Sequence, residues 1–342
     1  MQKTIWRTFL TILLLASMLL SGIVLIPRTY SVLEFVERPE TQYWDLPTGS
    51  RIGYTFRSAL DTNQLAPIIY LHGGPGGLIT EDIIASLLPF NQAGHDLYLY
   101  DQIGSGHSAR LENINAYSPQ RHEADLAAII EQIDAPKVIL IGHSWGAVLA
   151  TRYLATHPER LAKVILTGPG PILPINRALL SEKAPDSLNL KAPTFSNQQA
   201  NQDAYNLRSK AILYYAHFFG KKLASDREAD AFYTHLNNAL KKSTVRDVSK
   251  LESAIGGGGY YTHIMTLKQL NQVNDQRKEL KKSQVPVLIL RGQYDNQPWG
   301  YCAEYLELLP NLQFQIVKNA GHSIAKEQTD IYTNSILNFL TQ

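Results

Sequence analysis

The chain reads as an α/β protein: a mostly parallel sheet covered by helices, with a helical cap inserted after the sixth strand. Three observations predict this. Short, continuous apolar runs ("IIYL", "LYLY", "VILIG", "VILT" and "VLIL") recur between helix-like stretches, as strands buried on both faces do. The rhythm stops near Ile172 and returns after Ser283. Glycine-rich loops follow several of these runs, marking where a buried strand turns at the sheet edge.

The elements follow in order. Residues 9–26 carry no charge and are mostly Leu, Ile, Val, Ala and Met, with Lys3 and Arg7 before them and Arg28 after. About 20 apolar residues suffice to cross a bilayer core, so residues 1–28 are expected to form a membrane anchor. The excess of cations ahead of the run keeps the N-terminus in the cytoplasm and exports the rest. The rival reading is a cleaved signal peptide, but no small-x-small cleavage site follows the run.

Residues 43–46 and 51–56 read as two strands joined by "PTGS". "APIIYLHGGPGG" and "HDLYLYDQIGSGHS" are each a strand running into a Gly-rich loop. "SPQRHEADLAAIIEQI" is an amphipathic helix with Ser118 as N-cap and Pro119 in its first position. "KVILIGHSWGAVLA" is a strand, a tight turn and a helix, and "AKVILTGPGP" is the sixth strand.

Residues 172–283 are polar and rich in Lys and Arg, with helical patches at 205–219 and 228–240 and a glycine run at 256–259. The alternation resumes with "VPVLILRGQYD", a helix near 299–309, "LQFQIVKNAGHS" and a last helix near 325–340. The expected division is therefore an anchor or signal segment (1–28), a first core part (29–171), a cap (172–283) and a second core part (284–342).

Composition excludes several function classes. With 342 residues, 44% hydrophobic and 18% charged, the chain can bury a large core. A formal net charge of +2 leaves no global footprint for nucleic acid. The single cysteine, Cys302, permits neither an intrachain disulfide nor a cysteine zinc site and reads as a small buried hydrophobe. "RHEAD" at 121–125 lacks the second histidine of a zinc helix, and "GSG" at 104–106 is no dinucleotide fingerprint. No metal or cofactor is expected.

The chemistry centres on Gly142-His143-Ser144-Trp145-Gly146. A serine between a buried strand and a helix, with a glycine two residues to either side, fits a nucleophile elbow. Its hydroxyl needs a base to take its proton, and that base needs an acid to orient it. His322 in "NAGHS" follows the last strand, and Asp295 in "RGQYDNQ" follows the one before. The order Ser144, Asp295, His322 is that of α/β-hydrolases. The N–H of Trp145 and that of Gly74, with Gly73 as its neighbouring substitute, are expected to form the oxyanion hole. His72 and His143 read as bracing and packing residues.

Together, "HGGPGG", "DQIGSGHS", "GHSWG", "RGQYD" and "NAGHS" resemble the proline iminopeptidase branch of the α/β-hydrolases, over about 43–172 and from 283 onward. The resemblance implies a helical cap and removal of small N-terminal residues, often proline, from peptides. It also implies cap glutamates that hold the substrate amine, one of them just before an aromatic pair. Here that place reads "IGGGGYY". Glu252 is the first candidate to replace the acid and Asp203 the second. Ile103 and His107 stand where the family's second loop is usually cationic. The expectation is a serine hydrolase acting as an aminopeptidase on small N-terminal residues; the alternative is an esterase or lactonase with the same triad, and the minor alternative a non-catalytic binding protein. The partners expected are a small peptide or ester and, through the N-terminal segment, a membrane.

Overall fold

The computed structural model describes residues 2–59 and 65–342, without the side chains at 2, 3, 16, 17, 19–21 and 23. It opens with helix α1 (Gln2–Leu25). Among the described residues no helix is long and apolar enough to cross a membrane. The anchor expected over 1–28 therefore has no support among the described residues, though residue 1 and several side chains of α1 lie outside them.

Eight strands form one sheet: β1 (Gln42–Asp45), β2 (Arg51–Arg57), β3 (Ile68–Leu71), β4 (Leu97–Tyr100), β5 (Val138–His143), β6 (Leu161–Thr167), β7 (Val287–Gly292) and β8 (Leu312–Val317). Their order is β1-β2-β4-β3-β5-β6-β7-β8. β2 is antiparallel to both neighbours, and every other pairing is parallel. Side chains alternate across a strand, so one strand feeds two cores. In β3, Ile69 and Leu71 enter the core on one face while Ile68 and Tyr70 enter the core on the other. Fully buried strands of this kind read as unbroken apolar runs.

Helices α2 (Glu81–Gln92), α3 (Pro119–Ile133) and α4 (Trp145–Thr156) cover the first half. Ser118 caps α3 by accepting from Arg121 N–H, with Pro119 at the first turn. Residues 172–283 contribute no strand to the sheet among the described residues. They hold α5 (Asn197–Ala204), α6 (Leu207–Phe219), α7 (Asp226–Leu240), α8 (Tyr260–Lys268) and α9 (Arg277–Leu280). The chain ends with α10 (Trp299–Leu308), α11 (Ile324–Glu327) and α12 (Thr329–Leu340). The single last helix expected near 325–340 is two, separated at Gln328, whose φ of −136° is not helical. Strands β3 to β8 are parallel and end at one edge of the sheet, where the loops after β3 and β4 bond to residues of 172–283: Gly259 N–H donates to Gly76 O and Gly106 N–H to Gly257 O.

Candidate active site

The turn between β5 and α4 is tight because its glycines leave no room for anything else. A Cβ on Gly146 would lie 1.9 Å from the Leu71 carbonyl oxygen, and one on Gly142 2.5 Å from the Gly146 carbonyl oxygen. Only bare backbone lets α4 start this close to β3. Ser144 takes the strain at the apex, with φ 56° and ψ −114°, a region sparsely populated by residues other than glycine. Its N–H donates to Thr167 O at 3.0 Å, which ties the turn to β6.

Asp295, after β7, and His322, after β8, come together although 27 residues separate them. His322 Nδ1–H donates to Asp295 Oδ1 at 2.9 Å, and both side chains are buried. That bond leaves Nε2 as the imidazole's accepting atom. Burial would raise the Asp295 pKa. The facing His322, the Arg291 guanidinium and the Gln297 N–H outweigh it and hold the carboxyl below its ordinary range. Gly168 makes room for the pair, since a Cβ there would lie 2.7 Å from His322 Nδ1. The His143 ring, next in sequence to Ser144, lies 4.8 Å from the His322 ring. Burial first, and then the charge of His322, push the His143 pKa down to about 3, so it stays neutral.

Gly74, Ser144 and Trp145 border one cavity of about 150 Å³. Trp145 N–H heads α4 and so has no partner within the helix. Neither it nor Gly74 N–H donates to any acceptor among the described residues. The rest of the lining is apolar (Pro75, Val148, Leu173, Leu267 and Leu270 among it), with the amide of Gln297 as a polar exception. No carboxylate borders the cavity among the described residues.

The other expected residues fall elsewhere. Glu252 is exposed, its carboxylate 3.2 Å from Lys326 Nζ, and does not border the cavity. Asp203 is likewise exposed, accepting from Gln199 Nε2. Cys302 is buried and free, and burial pushes its thiol pKa up to about 12. His72 braces the loop: its Nε2 accepts from Gln102 N–H, so Nδ1–H donates to Gly73 O at 2.9 Å.

Several residues that shape the site drew no attention in the sequence. Gln102 joins the two Gly-rich loops to the elbow, accepting from Trp145 Nε1 at 2.8 Å and donating to His72 O. Arg38 supplies the cation missing from the second loop. It lies 3.8 Å from Asp101, its N–H donates to His107 Nε2, and its guanidinium donates to Ile79 O. His107 Nδ1–H donates in turn to Asp101. The motif "DQIGSGHS" held signals for Gln102 and Asp101, whereas Arg38, 63 residues earlier in the chain than Asp101, had none.

The family described as "alpha/beta hydrolase fold" matches residues 66–329. A proline iminopeptidase of Heyndrickxia coagulans is 26% identical over 297 residues, covering 86% of this chain and 96% of that protein. A non-heme chloroperoxidase of Burkholderia pyrrocinia is 25% identical over 282 residues, covering 80% and 91%. An esterase structure from Exiguobacterium antarcticum superposes with a TM-score of 0.58 at 17% identity, covering 88% of this chain and 99% of that one, a likeness of fold alone. Relatives of equal similarity carry different activities, so similarity fixes the hydrolase class and leaves the substrate to the cavity. The match across most of the chain and the eight-stranded sheet agree: this protein belongs to the α/β-hydrolase fold family and is a hydrolase.

Proposed function

We propose that the protein is a serine hydrolase that cleaves carboxylic esters of short, uncharged acyl groups. Ser144 Oγ attacks the ester carbonyl carbon while His322 Nε2 takes its proton. Asp295 orients the ring and stabilises the imidazolium. The N–H groups of Gly74 and Trp145 receive the oxyanion. His322 then protonates the leaving alcohol, and water, deprotonated by the same nitrogen, frees the acid from Ser144. One observation carries the choice of substrate: the residues bordering the cavity beside Ser144 are mostly apolar and include no carboxylate among the described residues.

The second reading, an aminopeptidase for small N-terminal residues, is favoured by the HGGPGG resemblance and by the proline iminopeptidase relative. It needs a carboxylate beside the substrate ammonium, because an unpaired buried charge is costly. Glu252 and Asp203 lie at the surface instead. The test compares prolyl-arylamide with its amine-free analogue, cyclopentanecarbonyl-arylamide, and with the matching aryl ester. Equal or faster turnover of the amine-free compounds is expected. Strong preference for the free amine would restore the peptidase reading. A fluorophosphonate that fails to label the wild type would mark a binding protein instead.

We also propose that the N-terminal segment holds the enzyme at a membrane with its catalytic part exported. The support is the uncharged run at 9–26 between Arg7 and Arg28. The full chain should resist carbonate extraction. A mature N-terminus beyond residue 20 would establish a cleaved signal peptide.

A further inference from the structure

We propose that Tyr233 and His263, two residues of the cap, are positioning residues for the oxyanion hole, acting through the carbonyl of Pro75. This rests on the hydrolase reading of Ser144 and Gly74.

The loop "HGGPGG" has only the bonds of His72 Nδ1–H and Gly77 N–H to Gly73 O to hold it from within. Gly74 and Gly76 sit at φ of +126° and +85°, and glycine is free to leave such values because no Cβ confines it. The orientation of Gly74 N–H must therefore come from contacts on the loop's carbonyls. Gly74 N–H shares its peptide plane with Gly73 C=O, which accepts from His72 Nδ1–H and from Gly77 N–H at 3.2 Å. Gly77 in turn follows two residues whose carbonyls are gripped from the cap. Pro75 O accepts from Tyr233 OH at 2.9 Å and from His263 Nδ1–H at 2.8 Å. Gly76 O accepts from Gly259 N–H at 2.8 Å.

A carbonyl oxygen has two lone pairs, so Tyr233 and His263 saturate Pro75 O. Both side chains are fixed. Tyr233 is buried on α7, and its ring lies 4.7 Å from that of His263 on α8. The grip does not depend on the charge of His263, because Nδ1 carries its proton in the neutral donor form as well as in the cation. The path thus runs from two cap helices through Pro75 O to the Gly76 peptide, whose carbonyl Gly259 N–H also holds, and from its Gly77 N–H to Gly73 O and Gly74 N–H. Docking of the cap and readiness of the oxyanion hole become one event.

The test uses the full chain with the aryl ester. Tyr233→Phe and His263→Ala should each lower kcat by about 3- to 30-fold with KM unchanged, and the double variant by about 100-fold, near the lower bound for loss of one oxyanion donor. Affinity for an arylboronic acid, which forms a tetrahedral adduct at the serine, should fall by the same factor. Affinity for the carboxylic acid product should hold. His263→Asn, whose amide places a donor near the position of Nδ1–H, should recover most of the rate. Melting temperatures identify any variant that fails to fold, in which case the conservative Tyr233→Phe decides. Unchanged kcat in Tyr233→Phe, or an effect on KM alone, would overturn the inference. Ser144→Ala retaining wild-type turnover would instead overturn the hydrolase reading beneath it.

Discussion

Gly146→Ala is the sharpest probe of the elbow. The added methyl would stand 1.9 Å from Leu71 O, 2.5 Å from Leu71 C and 2.9 Å from His72 O. Real Cβ atoms essentially never approach closer than 3.0 Å, so α4 and β3 must separate by about 1 Å or more. Neither can do so freely. β3 is clasped between β4 and β5, and α4 is buried from Trp145 to Ala155. Overpacking of this kind costs about 1–3 kcal/mol or more, and a backbone obstacle sets it at the upper end. For a chain of this size about 3 kcal/mol corresponds to a fall of about 4 °C in melting temperature.

The same displacement carries Trp145 N–H away from the oxyanion position, and a misplacement of about 1 Å costs up to about 100-fold in kcat. Thermal unfolding followed by circular dichroism and steady-state kinetics on the aryl ester measure the two effects. Gly170→Ala is the milder contrast for stability, since its Cβ would press on the Val148 Cγ2 methyl at 2.9 Å and not on backbone, with Ser144 O at 3.9 Å. Wild-type melting and turnover in Gly146→Ala would refute the packing argument. Lost stability with intact kcat would refute the link from α4 to the oxyanion.

Ser144→Ala and His322→Ala should each lower kcat by roughly 10⁴-fold, with the double variant little worse, because the residues act as a unit; steady-state rates on purified protein check this. Stability should fall with acid. Burial holds the pKa of His122 and His143 near 3 and of His263 near 4, below the ordinary 6.5, so the unfolded chain binds more protons. That contribution is complete above about pH 6.5 and is lost toward the folded values, at about 1.4 kcal/mol per pH unit and group. Equal urea midpoints at pH 7 and pH 5 would contradict it. Arg208→Ala should cost about 3–5 kcal/mol, read as a lower urea midpoint at neutral pH, because it leaves buried Glu228 without the guanidinium 2.8 Å away.

What the sequence made legible follows from locality. Buried strands announce themselves as apolar runs, so each of the eight strands overlaps the run read for it, β1 and β2 within a residue of their expected ranges. A glycine forced by a neighbouring carbonyl also leaves a readable mark, which is why the elbow and the two Gly-rich loops stood out. Contacts made by ordinary side chains across long stretches of chain leave none. Tyr233 and His263 read as helix residues of the cap, and nothing local shows that both reach Pro75 O, 158 and 188 positions away. Arg38 lies in a polar connector, and its role emerges only where it meets Asp101. Glu252 illustrates the converse: proximity in sequence to an aromatic pair suggested a pocket acid, while the fold turns its carboxylate outward to Lys326.

The absence of a cap acid before Tyr260 and Tyr261 is itself a packing requirement. In the run at 256–259, a Cβ on Gly256 would lie 3.0 Å from Phe35 N and one on Gly257 2.4 Å from the Phe35 ring. One on Gly258 would lie 2.9 Å from the Tyr233 ring, and one on Gly259 1.8 Å from Gly104 O. The run threads between the N-terminal connector and both Gly-rich loops, with Gly106 N–H donating to Gly257 O and Gly259 N–H to Gly76 O. A glutamate at 257, 258 or 259 would force that layer apart before its carboxylate could reach a substrate, and one at 256 would press on the Phe35 backbone. The backbone that grips the oxyanion loop therefore occupies the space where an amine-binding acid would have to stand. The lack of an acid there and the clamping of the loop are two consequences of one arrangement. A substrate with a neutral acyl group is the kind that this arrangement leaves unpenalised.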